Sequence, residues 1–366
     1  MVRTKREYTS VVISIKEHIR LADYTTLHLG GAARYFCECS SVDELRSALQ
    51  FAKGKNIRTH ILGGGSNTIF IDEGFNGLIV RIGLKGISFV RDGNDILVGA
   101  KAGEDWESFV AMTVEKGFAG IECLSAIPGL VGATPIQNVG AYGQEVKDTI
   151  ESVKVMEIQS LEEKLFQNSD CRFSYRESRF KQSDAGKYII TEVVLRLKKN
   201  GRPSTNYPEV QKMIEQKASL SSLADGKESL SAVRNIVLSL RKKKSMIIDP
   251  NDPNTRSVGS FFLNPIVDKE VLSSVRNQWN IIGDGTPVPA FAFGERQKIP
   301  AAWLIEKCGF KKGYKKNGVG ISENHTLALV NYGGTTSSLL LLAEEIQQGV
   351  EKVFNIRLQF EANVIS

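Results

Sequence analysis

Three consecutive glycines follow a short apolar run in "ILGGGSNTIF", residues 61 to 70, and they restrict the local fold more than any other stretch. Glycine tolerates positive φ and lets the backbone come close to another group. The Ser, Asn and Thr that follow can form hydrogen bonds with whatever arrives. A turn with inward-facing N–H groups is an anion nest, so a phosphate or pyrophosphate site and a ligand-free strand-to-helix turn are both open interpretations.

The patterns on either side predict strands and helices mixed without a strict βαβ alternation. Two short buried strands, "THIL" at 59–62 and "GLIV" at 77–80, are predicted to bracket the glycine turn. Further strands are predicted at 96–103, 152–158 and 188–197. Helical spacing of apolar residues predicts helices at 40–52, 104–117, 228–244, 300–309 and 336–354. The first of these helices begins with a capping box, Ser41 with Glu44, and the fourth has Pro300 at its first position.

Composition is that of an ordinary globular protein of two or three domains. Of 366 residues, 42% are hydrophobic and 24% are charged, and the net charge of +6 is too small to favour a nucleic-acid partner. The five cysteines are odd in number and form no CxxC pair, which argues against structural zinc and a disulfide framework. The four histidines are too scattered for a metal site. The basic N-terminus is a poor signal peptide and no apolar run could span a membrane, so we expect a cytoplasmic protein.

A second glycine-rich stretch, "IPGLVGATPIQNVGAYGQE" at 127–145, narrows the choice of ligand. The first glycine turn lacks the Lys and Ser/Thr of a nucleotide triphosphatase loop and the spacing of a standard dinucleotide fold. The second stretch is almost uncharged and rich in Gly and Pro, so it is predicted to be ordered without regular structure. Its backbone could lie against a planar ligand while Thr134, Gln137 and Asn138 supply polar contacts.

Several spaced motifs together resemble one family. "TTLHLGG", "GGGSN", the 127–145 stretch, "YRESRF", "GSFFLNP" and "PAAWLIEKCGFKKGY" occur in this order over nearly the whole chain. In that order they resemble the UDP-N-acetylenolpyruvoylglucosamine reductases, flavoenzymes of bacterial cell-wall precursor synthesis. The resemblance implies non-covalent FAD, NADPH as co-substrate and a small-molecule enolpyruvyl substrate, in a protein that we expect to be a monomer.

The resemblance also implies an α+β fold with an FAD-binding unit of the vanillyl-alcohol-oxidase type, made of two α+β subdomains. We expect an N-terminal extension at 1–22, subdomains at about 23–90 and 91–200, and a substrate-binding domain at 201–366 whose end returns to the active site. Residues implied to hold FAD lie in both glycine-rich stretches and one strand: Gly63, Gly64, Gly65, Ser66, Asn67, Thr68, Pro128, Gly129, Gly132, Ala133, Thr134, Gln137, Asn138, Gly140, Ala141, Gly143 and Ile190.

Three catalytic roles carry over from the motifs. Arg176 in "YRES" matches the family arginine that grips the substrate carboxylate, a role that suits a permanently charged guanidinium. Ser260 in "GSFF" matches the proton donor to the substrate carbon. Glu361 in "LQFEANVIS" matches a glutamate that assists at the enolate, although this chain has Phe360 where the family commonly has proline.

Substrate contacts carry over in the same way. The implied residues are Tyr142, Tyr175, Lys244, Asn264, Tyr207 and Lys307. Lys244 follows Lys242 and Lys243, so the run leaves open which lysine meets the diphosphate. Tyr207 resembles the tyrosine of a loop that closes over the uridine in one subgroup, and a simple loop tyrosine is the alternative. Two other protein classes also remain open: an FAD-dependent oxidase of the same superfamily and a non-catalytic nucleotide-binding protein.

Overall fold

A computed structural model of the protein describes residues 12–216 and 224–366. The chain divides into two compact units, each assembled from separate stretches. The first unit contains the described residues up to Ile19 together with Ala33–Gly64 and Asn76–Ser239. The second contains Arg20–Ala32, Gly65–Phe75 and Leu240–Ser366. The expected domain limits at residues 22, 90 and 200 are limits along the chain and stay a prediction, and residues 1–11 of the expected extension lie outside the described residues.

Two helices precede residue 120 and five follow residue 200 in the described part of the chain. They are α1 (Val42–Gly54), α2 (Trp106–Glu115), α3 (Pro208–Glu215), α4 (Lys227–Lys243), α5 (Lys269–Ile282), α6 (Ala301–Lys307) and α7 (Thr336–Phe354). The five helices predicted from apolar spacing correspond to α1, α2, α4, α6 and α7. In α1, Ser41 accepts a hydrogen bond from the N–H of Glu44 as predicted, but the Glu44 carboxylate accepts from Ser40 instead of the capping Ser41. In α6, Pro300 is the N-cap and Ala301 is the first helical residue.

The longest strands lie in the first two hundred residues, and the strands after residue 200 have two or three residues each. Those up to residue 199 are β1 (Lys16–Arg20), β2 (Ala32–Cys39), β3 (Arg58–Leu62), β4 (Thr68–Phe70), β5 (Phe75–Ile82), β6 (Ile87–Asp92), β7 (Asp95–Lys101), β8 (Phe118–Ala119), β9 (Gly140–Ala141), β10 (Gln144–Glu145), β11 (Ile150–Glu157), β12 (Glu163–Gln167) and β13 (Tyr188–Lys199). The later ones are β14 (Ile266–Val267), β15 (Phe291–Phe293), β16 (Arg296–Lys298), β17 (Lys315–Lys316), β18 (Val319–Ile321), β19 (Leu329–Asn331) and β20 (Asn363–Ile365).

The first unit is built on two sheets. One has the strand order β1-β2-β5-β3, in which β3 and β5 run parallel on either side of the glycine turn. The other has the order β12-β11-β13-β7-β6, with β8 also paired to β13. Apolar side chains of these strands and of α1 and α2 form a single buried cluster that includes Val98, Trp106 and Val193. This rigid core supports the 127–145 stretch.

The second unit has its own core. Small sheets, β14-β16-β15 and β17-β18-β19, accompany α5, α6 and α7, and the chain end β20 pairs in parallel with β4. Buried apolar residues of these elements cluster around Phe261, Leu304 and Leu342. The pairing of β20 with β4 brings the chain end beside "SNT" of the glycine turn, and its return to the active site stays a prediction.

The described part of the chain contains no helix that is both long enough and apolar enough to cross a membrane.

Candidate functional site

The two glycine-rich stretches touch each other in the first unit. A Cβ at Gly64 would lie 2.8 Å from the Cα of Gly129, which is closer than real Cβ atoms come to a neighbour. Gly129 has a φ of +129°, and its carbonyl accepts a hydrogen bond from Trp106 N at the start of α2. A Cβ at Gly63 would meet Ala133 at an ordinary 3.7 Å. Two backbones therefore pack directly together at the point where the sequence predicts a cofactor.

Gly65, the third glycine, belongs to the second unit and has a φ of +66°. A Cβ there would lie 1.9 Å from the carbonyl oxygen of Tyr24, so no other residue fits without a backbone shift. Asn67 is tied to the chain end, because its Nδ2 donates to the carbonyl of Glu361 at 3.3 Å and its own carbonyl accepts from Asn363 N. Thr68 opens β4, directly opposite Asn363. Close backbone contacts explain the glycines at 64 and 65, whereas a Cβ at Gly63 would find room.

The 127–145 stretch is ordered by its own backbone. Val131 N donates to Glu104 O at 2.9 Å and Gly132 N donates to Ala102 O at 3.0 Å. A Cβ at Gly132 would lie 2.4 Å from that of Ala102. The hydroxyl of Thr134, predicted as a ligand contact, is buried and donates to the Val131 carbonyl at 2.8 Å. Its structural contribution is thus to close the turn.

Asn138, another predicted contact, is fully buried and serves the same stretch. Its Nδ2 donates to Glu145 Oε2 at 2.9 Å and to Ser174 O at 2.8 Å, while its Oδ1 accepts from Lys147 N at 3.1 Å. The backbone of Asn138 has a φ of +45°, a conformation that Asn tolerates better than most residues. Its amide therefore fixes the stretch to the segment that carries Tyr175 and Arg176.

Arg176 is held against the glycine-rich stretch. Its Nη2 donates to the carbonyl of Gly140 at 2.5 Å, its Nη1 lies 3.5 Å from the carbonyl of Asn138, and the guanidinium lies 5.3 Å from the ring of Tyr175. The residue has a φ of +55°. The structure thus brings together Arg176 and Gly140, which the sequence placed in separate motifs.

Tyr142 and Tyr207 form an edge-to-face ring pair in the first unit. Their ring centroids are 5.3 Å apart and their planes meet at 80°. Tyr207 is the residue before α3, and burial, together with the nearby Glu209 carboxylate, raises the pKa of its phenol above the ordinary value.

Other predicted cofactor contacts lie in the same unit. Pro128 and Gln137 are half-buried, Ala141 lies in β9, Gly143 has a φ of +84°, and Ile190 is buried in β13.

Two acidic residues that the motifs did not single out hold this region together. Glu122 is fully buried and accepts hydrogen bonds from Gly120 N, Gln144 Nε2 and Ser204 N. Glu107 accepts from Ala126 N and pairs with Arg234 of α4. A charged residue inside the apolar run "AGIECLSAIPG" was the available signal for Glu122.

In the second unit, Ser260 and Glu361 lie on neighbouring chain segments. Glu361 N donates to Phe261 O at 2.8 Å and Leu263 N donates to Gln359 O at 2.9 Å, around an antiparallel bridge between Phe262 and Phe360. Phe360 packs its ring 5.0 Å from that of Phe261. The aromatic residue therefore contributes to the same alignment.

The predicted substrate residues of the second unit have defined structural partners. Asn264 accepts from Ala301 N through its Oδ1 at 2.9 Å and so caps α6. Lys307 forms an ion pair with Asp284 at 2.5 Å and lies 5.3 Å from the ring of Trp279. Its hydrogen bond is the main cause that lowers the pKa of the Asp284 carboxyl. Each of the two side chains therefore already has a polar partner within the protein.

Lys244 differs from the lysines before it. Lys242 and Lys243 are exposed, whereas Lys244 is half-buried. Burial lowers the pKa of His325 to about 4, and the charges of Lys244, Lys312 and Arg241 act in the same direction. Among residues 12–216 and 224–366 there is no group of three His, Cys, Asp or Glu side chains that could bind a metal ion.

Comparisons with known proteins decide the family. Residues 250–365 match the model of the UDP-N-acetylenolpyruvoylglucosamine reductase C-terminal domain, and residues 33–159 match an FAD binding domain. A UDP-N-acetylenolpyruvoylglucosamine reductase from Thermobifida fusca is 42% identical over 96% of this chain and 98% of its own length. The chain belongs to the UDP-N-acetylenolpyruvoylglucosamine reductase family. One from Amoebophilus asiaticus is 38% identical over 96% of this chain and 100% of its own length.

The fold agrees with this family. The crystal structure of a UDP-N-acetylenolpyruvylglucosamine reductase from Thermus caldophilus has a TM-score of 0.64 and 22% sequence identity, covering 97% of this chain and 99% of its own. The predicted family and α+β fold are confirmed. The relatives are named as reductases, and the chain carries an FAD binding domain, as expected of an FAD-containing oxidoreductase.

Proposed function

We propose that the protein uses NADPH to reduce UDP-N-acetylglucosamine enolpyruvate to UDP-N-acetylmuramate, a step of peptidoglycan precursor synthesis, as a cytoplasmic monomer. The family and its FAD binding domain support this reaction class. The observation that carries the residue assignment is the pairing of the segment after Ser260 with the segment that ends at Glu361. Two residues a hundred positions apart, both implied by the family motifs, lie on adjoining segments of one unit.

FAD fits the glycine-rich stretches because their closest approaches leave room for backbone atoms and not for side chains. Where Gly64 meets Gly129, and where Gly65 meets Tyr24, even a methyl group would collide, so backbone rather than side chains forms these contacts. Backbone N–H groups of this kind can neutralise a pyrophosphate without a lysine. We assign the diphosphate to residues 63–68 and the flavin ring to 128–143, with Ile190 behind it.

FAD, when bound non-covalently and reduced by NADPH, supplies a hydride to the methylene carbon of the enolpyruvyl group. Negative charge then develops on the neighbouring carbon and its carboxylate. We assign the carboxylate to the Arg176 guanidinium, which keeps its charge at every physiological pH. The contact of Arg176 with the Gly140 carbonyl supports this role, because it fixes the cation beside the flavin-binding stretch before substrate arrives.

Ser260 then gives its hydroxyl proton to the carbon that carries the charge. A hydroxyl is a weak acid, but a carbanionic enolate carbon is a strong base, so proton transfer is feasible when the donor is held in place. The Gly259 turn and the bridge between Phe262 and Phe360 hold the donor. Glu361, half-buried on the adjoining segment, assists at the enolate as a hydrogen-bonding partner.

The remaining contacts hold the nucleotide sugar. We assign Tyr142 and Tyr175 to the enolpyruvyl group, Lys244 to the diphosphate, Asn264 to the diphosphate or sugar, and Tyr207 to the uridine. The half-buried position of Lys244 favours it over its exposed neighbours. Lys307 is assigned to the nucleotide with its Asp284 ion pair in place.

The test is product analysis in deuterated water. Purified protein, NADPH and UDP-N-acetylglucosamine enolpyruvate should yield a compound heavier by the two added hydrogens, with solvent deuterium at the carbon beside the carboxylate. NADPH hydrogen should appear at the former methylene carbon. Recovery of unchanged substrate, or solvent deuterium at the methyl carbon instead, would contradict the proposed reaction.

A further inference from the structure

Glu122 is an unusual residue for the place it occupies. Its side chain has no exposed surface, and both carboxylate oxygens are used: Oε2 accepts from Gly120 N at 2.8 Å, and Oε1 accepts from Gln144 Nε2 at 2.9 Å and from Ser204 N at 2.7 Å. A buried carboxylate costs stability unless donors converge on it. Here the donors come from three separate segments of the first unit.

Two of those donors lead directly to the tyrosine pair. Gln144 is two residues after Tyr142, and its Oε1 also accepts from Cys123 N at 2.7 Å. Ser204 is three residues before Tyr207, and its carbonyl accepts a hydrogen bond from the Cys123 thiol. One carboxylate and the adjoining Cys123 therefore connect the Tyr142 turn to the segment that carries Tyr207.

The 200–207 segment has no regular structure and depends on such contacts. At its start, Asn200 N donates to Gly117 O and Gly201 O accepts from Gly226 N. At its end stands the Tyr207 ring, 5.3 Å from that of Tyr142. Between these two ends, Glu122 and Cys123 hold the segment at Ser204.

We propose that Glu122 is a positioning residue, whose carboxylate fixes the 200–207 segment against the Tyr142 turn and thereby sets the place of the Tyr207 ring for substrate binding. This inference rests on the proposed function, in which both tyrosines meet the substrate. It assigns to Glu122 no contact with substrate or cofactor.

Four substitutions separate this role from simple stabilisation. Glu122→Ala removes all three acceptor contacts. Glu122→Gln keeps one oxygen, which can still accept from Gln144 and Ser204, and should rescue most of the effect. Ser204→Pro removes the Ser204 N–H, fixes φ at this position and leaves Glu122 intact, and Ser204→Ala is its control for the lost side chain because it keeps that N–H.

The measurements are hydrogen–deuterium exchange of the peptide spanning 200–207 and steady-state kinetics. Glu122→Ala and Ser204→Pro should speed amide exchange in this peptide at least about tenfold, since a hydrogen bond to a buried charged group is lost. They should raise KM for the enolpyruvyl substrate about tenfold or more while kcat changes less than about threefold. In a Tyr207→Ala background, Glu122→Ala should add no further rise in KM.

The results that would overturn the proposal are distinct. Unchanged amide exchange in both Glu122→Ala and Ser204→Pro would show that Glu122 does not fix the 200–207 segment. A KM effect of equal size with and without Tyr207 would show that Glu122 does not act through that ring. If the parent protein fails to turn over the enolpyruvyl substrate, the proposed function falls. Amide exchange in the ligand-free protein would then still show whether Glu122 fixes the 200–207 segment.

Discussion

Ser260 is an ordinary residue type, and the role that we propose for it depends on its position. Its hydroxyl has no unusual chemistry in the sequence, and a serine after glycine is most often a turn residue. In the structure Gly259 has a φ of +74°, and the segment that begins at Phe261 pairs with the one that ends at Glu361. The role that we propose for Ser260 therefore depends on its neighbours.

Replacing Ser260 should separate the two halves of the reaction. Ser260→Ala should leave reduction of the flavin by NADPH unchanged and lower turnover by about a hundredfold or more, because a positioned proton donor contributes that much. Ser260→Cys should retain part of the turnover, since a thiol can also give a proton. Stopped-flow absorbance measures the first step, and product formation measures the second.

Ser273→Ala is the matched control for this experiment. Ser273 lies in α5 of the same unit, where its hydroxyl donates to the Lys269 carbonyl. Both steps should be unaffected. A Ser260→Ala variant that turns over at the parent rate would contradict the assigned role of the hydroxyl.

Residue types and motifs predicted some partners and missed others. The motifs named Arg176 and Gly140 separately, but only the fold shows that the guanidinium donates to that carbonyl. Glu122 was not singled out, because its donors are mostly backbone N–H groups and a sequence does not show where those point. Asn264 was expected to face a ligand, and its oxygen is used to cap α6.

At the scale of elements, strong periodicity predicted helices well. The apolar stripe of α7 and the cap of α1 were visible in the sequence, and both helices form where expected. The short strand β4 was missed because its pairing partner, β20, lies almost three hundred residues later. Helices α3 and α5 were not predicted; α5 buries Leu272, Val275 and Trp279 at helical spacing, whereas Val210 is the buried apolar residue of α3.

The contact between the two glycine-rich stretches gives a prediction at this scale. Gly64→Ala places a methyl group 2.8 Å from Gly129 Cα, so one backbone must shift. We expect a loss of about 1–3 kcal/mol in the free energy of unfolding, together with weaker FAD retention. Denaturation by urea and the ratio of flavin to protein absorbance measure the two effects.

Gly54→Ala serves as the control for Gly64→Ala. Gly54 is the last residue of α1, and a Cβ there would meet nothing within 4 Å. This variant should unfold and bind FAD like the parent protein. Equal behaviour of the two variants would show that the close approach at Gly64 does not matter.

At the scale of the whole molecule, each unit has a histidine whose surroundings oppose its charge. Burial lowers the pKa of His60 in β3 to about 4, and burial with nearby cations does the same for His325. His325 Nδ1 also accepts a hydrogen bond from Leu327 N at 3.1 Å, which requires that nitrogen to be unprotonated. Both rings are therefore neutral in the folded protein at neutral pH.

These pKa values predict the direction of an acid effect. Above pH 6.5 the histidines are neutral in both states; as pH falls from 6.5 toward 4, the unfolded chain takes up protons that the folded protein does not. The free energy of unfolding should therefore fall over this window, by about 1–3 kcal/mol for each ring. His325→Gln should reduce the slope, most clearly above about pH 5, where few carboxylates titrate. A parent protein equally stable at pH 6.5 and pH 5 would contradict these pKa values.

The assignment of both glycine-rich stretches to FAD, and of the enolpyruvyl compound as substrate, is tested most directly by one anaerobic absorbance series. The visible spectrum is taken of the purified protein, after NADPH, and after UDP-N-acetylglucosamine enolpyruvate. We predict a flavin band that bleaches with NADPH and returns with the enolpyruvyl compound. A band that returns only with oxygen would indicate an oxidase and contradict the substrate assignment; no band even with added FAD would contradict the cofactor site itself.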